Sequence, residues 1–562
     1  MTQALATNTS SRTGISDLFG NRLFSTLANQ SLLVSALTAF QLLLLLFALK
    51  VNKHLLLAFP RGWVLLPIFL CITLATVRIR TEEKIIVRLW QLIGIFSATY
   101  SLLHYPLFPP MPNNLVAIGT YAFVLMFWLI SASGGMFSFY LPSLAVLPPA
   151  FLVWCNRFAE TITGLPITTD VDITPLNEVS ICIGLGLLIS HVTSHAIRLL
   201  SKRNNFRLVD SITESLASPS FTGLLLLVAI SIHLANYYWS FVAKISLPGP
   251  FLAWLTENNP ANMFLVALDD DHILFAGYPL LVRLFYNFLD AVHLYSNFLI
   301  LLIQGLAIAA FFLPKRAFVM LLLAFDVMHL SIIILAGLHF WPWIILNVII
   351  ASIVVAPSYK PQPIFIRVIA TLFILVAPRF AQVATSLGWY DTGTNNKLFF
   401  EAIDQTGTRY QVPTNFFTFY SYSFGHMDYG TIDQMRSFHV ASPHGSTWEY
   451  DILKKASTCD AQGLYRTSAN SSPNQEQMDA FIRSYHRLAT NIEKAVGVFP
   501  YDLYPHHYYV PLGLGEQFRQ ADKSAIVAYI YRQETVCLSF SAGRLERRVL
   551  AVSERRIDLD GK

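Results

Sequence analysis

The chain has 562 residues, of which 54% are hydrophobic and only 13% are charged, whereas ordinary soluble domains contain about 25% charged residues. Its formal net charge of +5 is small and resides mainly in short Lys/Arg-rich loops, so we expect no nucleic-acid partner. This composition excludes a protein that is soluble throughout. It favours a polytopic α-helical membrane protein with about eleven transmembrane helices and a C-terminal α+β soluble domain.

The apolar residues are concentrated in segments long enough to cross a membrane. A spanning helix needs about 20 mainly apolar residues, and candidates follow a polar N-terminal segment at 1–30. They lie at 31–51, 63–79, 85–104, 115–132, 137–155, 179–199, 221–243, 294–313, 317–338, 341–356 and 363–385. We therefore predict a transmembrane bundle over residues 31–387, embedded in a lipid bilayer.

One apolar stretch, 262–290, does not fit a spanning helix. It is interrupted by Pro279 and by the consecutive carboxylates Asp269, Asp270 and Asp271. Because three carboxylates cannot lie against lipid, we predict that this stretch is amphipathic or re-entrant.

Basic residues indicate the orientation of the bundle. Clusters of Lys and Arg occur at 78–88, 198–207 and 315–316, and even numbers of predicted spans separate them. Because cytoplasmic loops carry an excess of Lys and Arg, we predict that these loops are cytoplasmic and that the C-terminal domain is extracytoplasmic. Three residues do not fit, because this scheme places their loop outside: Lys50, Lys53 and Arg61.

Residues 388–562 have the composition of a soluble α+β domain. The patterns predict a hairpin over 398–420, an amphipathic helix over 475–496 and a second hairpin over 525–551. Cys459 and Cys537 are the two cysteines of this domain. They could form a disulfide if the domain is extracytoplasmic, or remain two free thiols.

Ionisable residues inside the predicted spans are the candidate functional residues. A group of this kind at membrane depth usually faces a cavity, pairs with a partner or takes part in chemistry. Those with helical spacing are His191 with His195, Asp290 with His293, and Asp326 with His329. Such residues could ligate a metal in a membrane metalloenzyme, or act as hydrogen bonds between helices. The spacing matches no specific metal signature, so we do not expect a metal.

Lys244 ends the apolar run 221–243 and is the second kind of candidate. A lysine at the end of a span ordinarily extends to the interface as an anchor. Here Trp239 precedes it and Pro248-Gly249-Pro250 follows it, which indicates a turn that folds back over the helix end. A lysine held in such a dry site could act as a base.

Two segments resemble a known family. NYYWSFVAKISLPGPFLAW at 236–254 is similar to a segment of vitamin K-dependent gamma-glutamyl carboxylases and their bacterial relatives, the horizontally transferred transmembrane (HTTM) family. AFDVMHLSIIILAGLHFWPWIILNVIIAS at 324–352 is similar to that family's histidine-bearing helix and the break that follows it. The resemblance covers roughly residues 180–356 and is taken as indicating the family-like core of the bundle.

The resemblance implies an oxidoreductase- or lyase-like membrane enzyme. It would use a reduced quinone and O2 to generate a strong base, for oxygenation or, with CO2, carboxylation of a substrate. Lys244 matches the residue that deprotonates the quinol, and His329 matches an active-site histidine. We add His191 as a further catalytic candidate. Candidate quinone-binding residues are Tyr238, Trp239, His293 and Trp341.

The substrate is not specified by the resemblance. The soluble domain is much shorter than the carboxylase's lumenal part, so we expect an unknown peptide or small molecule rather than a protein glutamate. We expect the protein in a bacterial inner membrane. The alternatives are a metalloenzyme with Asp290, His293, Asp326 and His329 as ligands and His191 as a further candidate ligand, and a non-catalytic membrane assembly or maturation factor.

Overall fold

The computed structural model describes residues 35–54, 174–204, 219–357, most of 359–425, 475–497 and 515–559, together with a few isolated positions. The polar segment 1–30 and four predicted spans between 63 and 155 lie outside the described residues, apart from helical positions at 92, 93 and 96. The prediction of about eleven spans therefore stays a prediction.

The membrane part of the described chain is helical. Its α-helices, numbered in chain order, are α1 Ser35–His54, α2 Thr174–Asn204, α3 Pro219–Ile245, α4 Ala253–Glu257, α5 Pro260–Asp269, α6 Pro279–Leu306, α7 Lys315–Ala336, α8 Trp341–Val355 and α9 Ile364–Val376. A 3-10 helix, Ala307–Phe312, continues α6. Among the described residues, five helices are long and apolar enough to cross a membrane: α1, α2, α3, α6 with its 3-10 extension, and α7. The two last predicted spans correspond to shorter helices, α8 and α9.

Helix α3 lies at the centre of this bundle. In the most apolar 18-residue stretch of α3, 78% of the residues are buried. The corresponding share is 33% in α6 and in α7. Ser231 Oγ donates to the Ala370 carbonyl oxygen at 2.8 Å, and Trp239 Nε1 donates to the Ile374 carbonyl oxygen at 3.1 Å. The later residue of α3 bonds to the later residue of α9, so the two helices run parallel.

Lys53, which did not fit the predicted orientation, has backbone partners. Its Nζ donates to the carbonyl oxygens of Pro378 and Ala381 at 2.5 and 3.2 Å. These carbonyls follow the end of α9 and lead into the soluble domain. Lys53 therefore lies at the end of the bundle that carries this domain, where backbone carbonyl oxygens accept hydrogen bonds from its amine.

The soluble domain is built on a four-stranded antiparallel sheet in the order β2-β1-β3-β4. Its strands are β1 Thr394–Asp404, β2 Arg409–Gln411, β3 Ile526–Ser541 and β4 Arg544–Asp558. Its helices are α10 Tyr420–Gly425, α11 Gln475–Val496 and α12 Glu516–Gln520. Both predicted hairpins and the predicted amphipathic helix are present. Aromatic side chains of β1, α10 and α11 form the core with Phe416 and Phe417.

Cys459 and Cys537 form a disulfide, with 5.6 Å between their Cα atoms. The bond joins a position between α10 and α11 to the middle of β3. It closes a loop with a sequence separation of 78 residues. Of the two alternatives left open by the sequence, the structure contains the bonded one.

The acidic stretch at 269–271 lies at the junction between the bundle and the sheet. Arg547 Nε of β4 donates to Asp269 Oδ1 at 2.9 Å, and Lys397 Nζ of β1 lies 3.9 Å from Asp270 Oδ1. The stretch 262–290 forms α5, a loop and the first part of α6, so α6 begins well before the predicted position 294. Asp269 and Asp270 avoid lipid because they pair with residues of the sheet.

Candidate functional site

Four polar residues share one face of the central helix α3. His233, Tyr237, Ser240 and Lys244 are spaced by four, three and four residues, which places them along one stripe of an α-helix. All four are buried. The stripe divides into two groups: Lys244 at the helix end, and His233 with Tyr237 lower in the bundle.

We define the lysine site as Lys244 with the groups that enclose its amine. Lys244 is 6% exposed, and its Nζ donates to the carbonyl oxygen of Leu387 at 2.9 Å. A weaker contact joins it to Ser240 O at 3.5 Å, one turn back on α3. The amine also lies 5.2 Å from the centroid of the Trp254 ring, a cation–π distance.

The turn after α3 brings Trp254 over the amine. Gly249 has φ 135°, which L side chains rarely adopt, so the Pro248-Gly249-Pro250 sequence can reverse the chain there. The short helix α4 follows and carries Trp254. Asn297 of α6 fixes the end of this segment, since its Nδ2 donates to the carbonyl oxygens of Leu255 and Asn258 at 3.1 and 2.7 Å. The predicted fold-back over Lys244 is therefore present.

Asp391 brings a buried carboxylate to the lysine site from the start of the soluble domain. It is 7% exposed, and its backbone N–H donates to Asn258 Oδ1 at 2.7 Å. Burial raises the pKa of Asp391 to about 7, although a hydrogen bond from Asn258 and the charge of Lys244 both lower it. No ion pair shorter than 4 Å joins Lys244 to a carboxylate among the described residues, so Asp391 acts on Lys244 through space.

We define the Asn347 network as Asn347 with His233, Tyr237, Asp326 and His329. Asn347 Nδ2 donates to Tyr237 Oη at 2.9 Å and to Asp326 Oδ1 at 2.8 Å. Its Oδ1 lies 2.8 Å from His233 Nε2. A single amide on α8 thus connects two residues of α3 with one of α7.

These bonds fix the direction of the hydrogen bond to His329. Tyr237 Oη accepts from Asn347, so its own proton is available for His329 Nε2, which lies 3.2 Å away. Because Asn347 Oδ1 can only accept, His233 must carry its proton on Nε2. The ring of Tyr237 stacks on Phe325 at 3.7 Å between centroids. Rings and hydrogen bonds together hold Tyr237 and His329 in one arrangement.

The lysine site and the Asn347 network are neighbours along α3. Tyr237 and Lys244 are seven residues apart, which corresponds to about 10.5 Å along the helix axis. His329 of α7 contacts Tyr237, so it lies against the same buried stripe that ends at Lys244. That the two residues line a common cavity stays a prediction.

The four candidate quinone-binding residues are distributed over the bundle. Tyr238 is half-buried with its ring against Phe241, and Trp239 Nε1 is bonded to Ile374 O. Trp341 packs its ring edge against Phe96 at 5.1 Å. His293 Nδ1 lies 2.6 Å from the carbonyl oxygen of Asp290. Within the described chain, no hydrogen bond or ring contact joins these four to the Lys244 amine.

The candidate metal ligands do not gather at one place in the described residues. Asp290 is exposed on α6 and accepts from Asn259 Nδ2 at 2.7 Å, whereas Asp326 and His329 are buried in the Asn347 network. His191 lies in α2, but its side chain is outside the described part of the chain. The residues that the structure describes contain no group of three or more His, Cys, Asp or Glu side chains arranged to hold a metal ion.

Sequence reasoning missed four residues of these sites. His233, Asn347, Asn258 and Asp391 each stand alone between apolar or loop residues, without a partner nearby in sequence. The four-three-four spacing on α3 was a usable signal for His233. Asn347 could have been noticed as the one amide side chain in the apolar run 341–351.

No family model, no curated protein and no solved structure matches this chain.

Proposed function

We propose that this chain is an integral membrane enzyme that starts its chemistry by proton abstraction at Lys244. In this proposal a reduced quinone and O2 would together generate a strong base, which would remove a substrate proton for oxygenation or for carboxylation by CO2. The proposal depends on the resemblance of 236–254 and 324–352 to the carboxylase and HTTM family. The observation that carries it is the burial of the Lys244 amine against two carbonyl oxygens and an aromatic face.

This enclosure differs from that of a membrane anchor. An anchoring lysine extends into water, whereas Lys244 points into protein at a helix end that the chain covers. Burial disfavours the charged form of an amine and so favours a group that accepts a proton. The apolar residues Leu247, Ala253, Trp254 and Leu301 pack with Tyr390 beside it. Such surroundings suit the ring of a quinol, since sites for small molecules are mostly apolar with few polar groups.

Asp391 and His329 have distinct roles in this proposal. Asp391 is a positioning residue, because its carboxylate can stabilise the ammonium that forms when Lys244 takes up a proton. His329, oriented by the Tyr237 hydroxyl, is the group that would hold or move a proton on the substrate side. Both roles require only side chains that are already buried beside the stripe of α3.

The proposal places the soluble domain outside the cytoplasm. The basic end of α2, at residues 202–203, and the start of α7 at Lys315 and Arg316 lie at the end of the bundle away from this domain. Basic residues collect on the cytoplasmic side, and disulfides such as Cys459–Cys537 persist in oxidising compartments. Both facts support this orientation.

The first testable prediction concerns Lys244. In the purified full-length protein, Lys244→Met should abolish quinol-dependent O2 uptake, because methionine preserves the apolar stem and removes the base. Lys244→Arg should not restore it, since a guanidinium does not deprotonate in proteins. The assay uses a reduced short-chain menaquinone in detergent and follows O2 uptake.

Lys53→Met is the matched control. Lys53 also donates to two backbone carbonyls at a helix end, so its loss should lower stability but leave O2 uptake intact. Retained uptake in Lys244→Met would contradict the proposed role of this residue. If the biological activity of the protein survives the loss of both Lys244 and His329, a non-catalytic assembly factor is favoured. If the purified protein contains stoichiometric metal, the metalloenzyme is favoured.

A further inference from the structure

A cavity of about 300 Å³ lies at the basic end of the bundle, far from the lysine site. Leu227 of α3 forms part of its wall, and Leu227 precedes Lys244 by seventeen residues, or about 25 Å along the helix. The other walls come from the junction of the 3-10 helix with α7, the end of α8 and the start of α9. Its lining residues are Leu227, Phe311, Phe312, Leu313, Pro314, Lys315, Phe318, Val354, Tyr359, Gln362 and Arg367.

Two cations line this cavity, and none of its described lining residues is acidic. Lys315 Nζ donates to the carbonyl oxygen of Tyr359 at 2.6 Å and lies 5.0 Å from the centroid of the Tyr359 ring. The amine is therefore held at the cavity and is not extended into water. Arg367 lies close enough for its charge to lower the pKa of the Tyr359 phenol, which burial raises.

Arg367 has a donor that no described residue satisfies. Its Nε is buried and lacks a hydrogen-bond partner within the described chain. A buried donor without an acceptor is costly, more so when it belongs to a charged group. Two neighbouring cations repel each other as well, so an anion in the cavity would stabilise both.

Two helices begin at the cavity. Pro314 and Pro363 precede the first residues of α7 and α9, and neither helix has a side-chain cap at its N-terminus. Helix N-termini favour anions through their free N–H groups and their dipole. The two uncapped helix N-termini therefore favour an anionic ligand, as the two basic side chains do.

The surface around the cavity is apolar. Ile364 and Phe365, next to its mouth on α9, are 60% and 70% exposed, and Phe312 is 43% exposed. A cavity of this volume is at the small end of ligand pockets, so it can hold a phosphate-bearing headgroup while acyl chains lie along these exposed side chains. Basic pockets between transmembrane helices bind anionic headgroups in this way.

We propose that this cavity binds the phosphate of an anionic phospholipid, with Arg367 and Lys315 as its ligands. The ligand chemistry is a phosphate group, and the source is a lipid of the same leaflet as the basic loops. The site is independent of the lysine site and of the reaction proposed for it.

The test measures lipid retention by the full-length protein in detergent by native mass spectrometry. The probes are dioctanoyl phosphatidylglycerol, dioctanoyl phosphatidylcholine and inorganic phosphate. We expect wild-type protein to retain phosphatidylglycerol more tightly than phosphatidylcholine, and Arg367→Gln to weaken this retention roughly fivefold, as for the loss of one basic contact.

Arg316→Gln is the matched control. Arg316 is exposed, adjacent to Lys315 and not part of the lining, so this variant should retain the lipid as wild type does. If Arg367→Gln does not fold, Lys315→Gln makes the same measurement. Equal retention of the two lipids, or equal losses in the Arg316 and Arg367 variants, would overturn the proposal. Competition by inorganic phosphate as strong as by phosphatidylglycerol would overturn the lipid source.

Discussion

Asp391 is the residue whose ionisation should make stability depend on pH. Its folded-state pKa is raised to about 7 by burial, above an unfolded value of about 3.9. A carboxyl group with a raised folded-state pKa makes its full contribution to stability below its unfolded-state pKa. This contribution is lost as the pH rises through the folded-state pKa. We therefore predict that wild-type protein loses stability relative to Asp391→Asn between about pH 4 and 7, by at most about 1.4 kcal/mol per pH unit.

The measurement is the free energy of unfolding of the full-length protein at several pH values. Above about pH 7 the difference between the two proteins should become constant, since Asp391 is then ionised in both states. Asp558→Asn is a suitable control, because this carboxylate is exposed on β4. A difference that stayed flat from pH 4 to 7 would show that Asp391 titrates normally.

Gly337 ends α7 in a conformation that excludes other residues. Its φ is 65°, and a Cβ at this position would overlap the carbonyl oxygen of His272. We predict that Gly337→Ala lowers the free energy of unfolding by about 2–4 kcal/mol, the sum of left-handed strain and steric displacement. Gly407 has φ 86° with nothing within 4 Å of a Cβ, so Gly407→Ala should cost only about 1–2 kcal/mol.

Thermal unfolding of both variants checks this prediction, because the two glycines differ in surroundings and share a positive φ. Equal losses would indicate that the backbone conformation alone decides the cost and that the contact with His272 contributes little.

At the scale of elements, the junction between α5 and the sheet depends on a few ion pairs. Arg547 of β4 pairs with Asp269 of α5 and with Glu534 of β3. Both carboxylates have side chains about 5% exposed or less. Arg547→Met would leave two buried carboxylates with fewer partners, so we predict a loss of about 2–4 kcal/mol at this junction.

Hydrogen exchange of β3 and α5 measures this loss locally. The control is Arg556→Met, since Arg556 and Asp558 form a pair in which both side chains are more than half exposed. Exposed pairs contribute about 0–1 kcal/mol, so exchange at the junction should be unchanged. Faster exchange in both variants would mean that general surface charge, and not the buried pairs, holds the sheet.

The elements that could be predicted are those with local signals. The helix 475–496 and both hairpins follow from the spacing of apolar residues and from their turns, and Lys244 follows from its place between a span and a Pro-Gly-Pro turn. The hydrogen bonds of the Asn347 network could not be predicted, because they join residues distant in sequence: 114 residues separate His233 from Asn347. The same reason hid Asp391, whose importance depends on a helix far earlier in the chain.

For the whole molecule, the Cys459–Cys537 disulfide bears both on the compartment of the soluble domain and on the stability of that domain. We predict that Cys459 and Cys537 in the isolated protein react with a maleimide only after reduction, because an oxidising compartment keeps them bonded. Closing a loop of this length contributes about 4 kcal/mol, so Cys537→Ser should destabilise the soluble domain. Cys182→Ser is the control, since Cys182 is a buried free thiol in α2.

A reporter fused after Lys562 tests the orientation independently. A reporter enzyme that works only outside the cytoplasm should be active in this fusion, and one that works only in the cytoplasm should be inactive. A reporter active in the cytoplasm, together with free thiols at both positions, would contradict the proposed orientation and leave the fold of the soluble domain unaffected.

The hydrogen bond from Lys244 to Leu387 also has a consequence for biosynthesis. The two residues are 143 positions apart, so at a synthesis rate of roughly 5–20 residues per second the acceptor follows the lysine after about 7–30 s. During that interval α3 has entered the membrane with an amine that lacks this cap. A chain whose translation stops before residue 387 therefore leaves the Lys244 amine at the end of α3 without this acceptor.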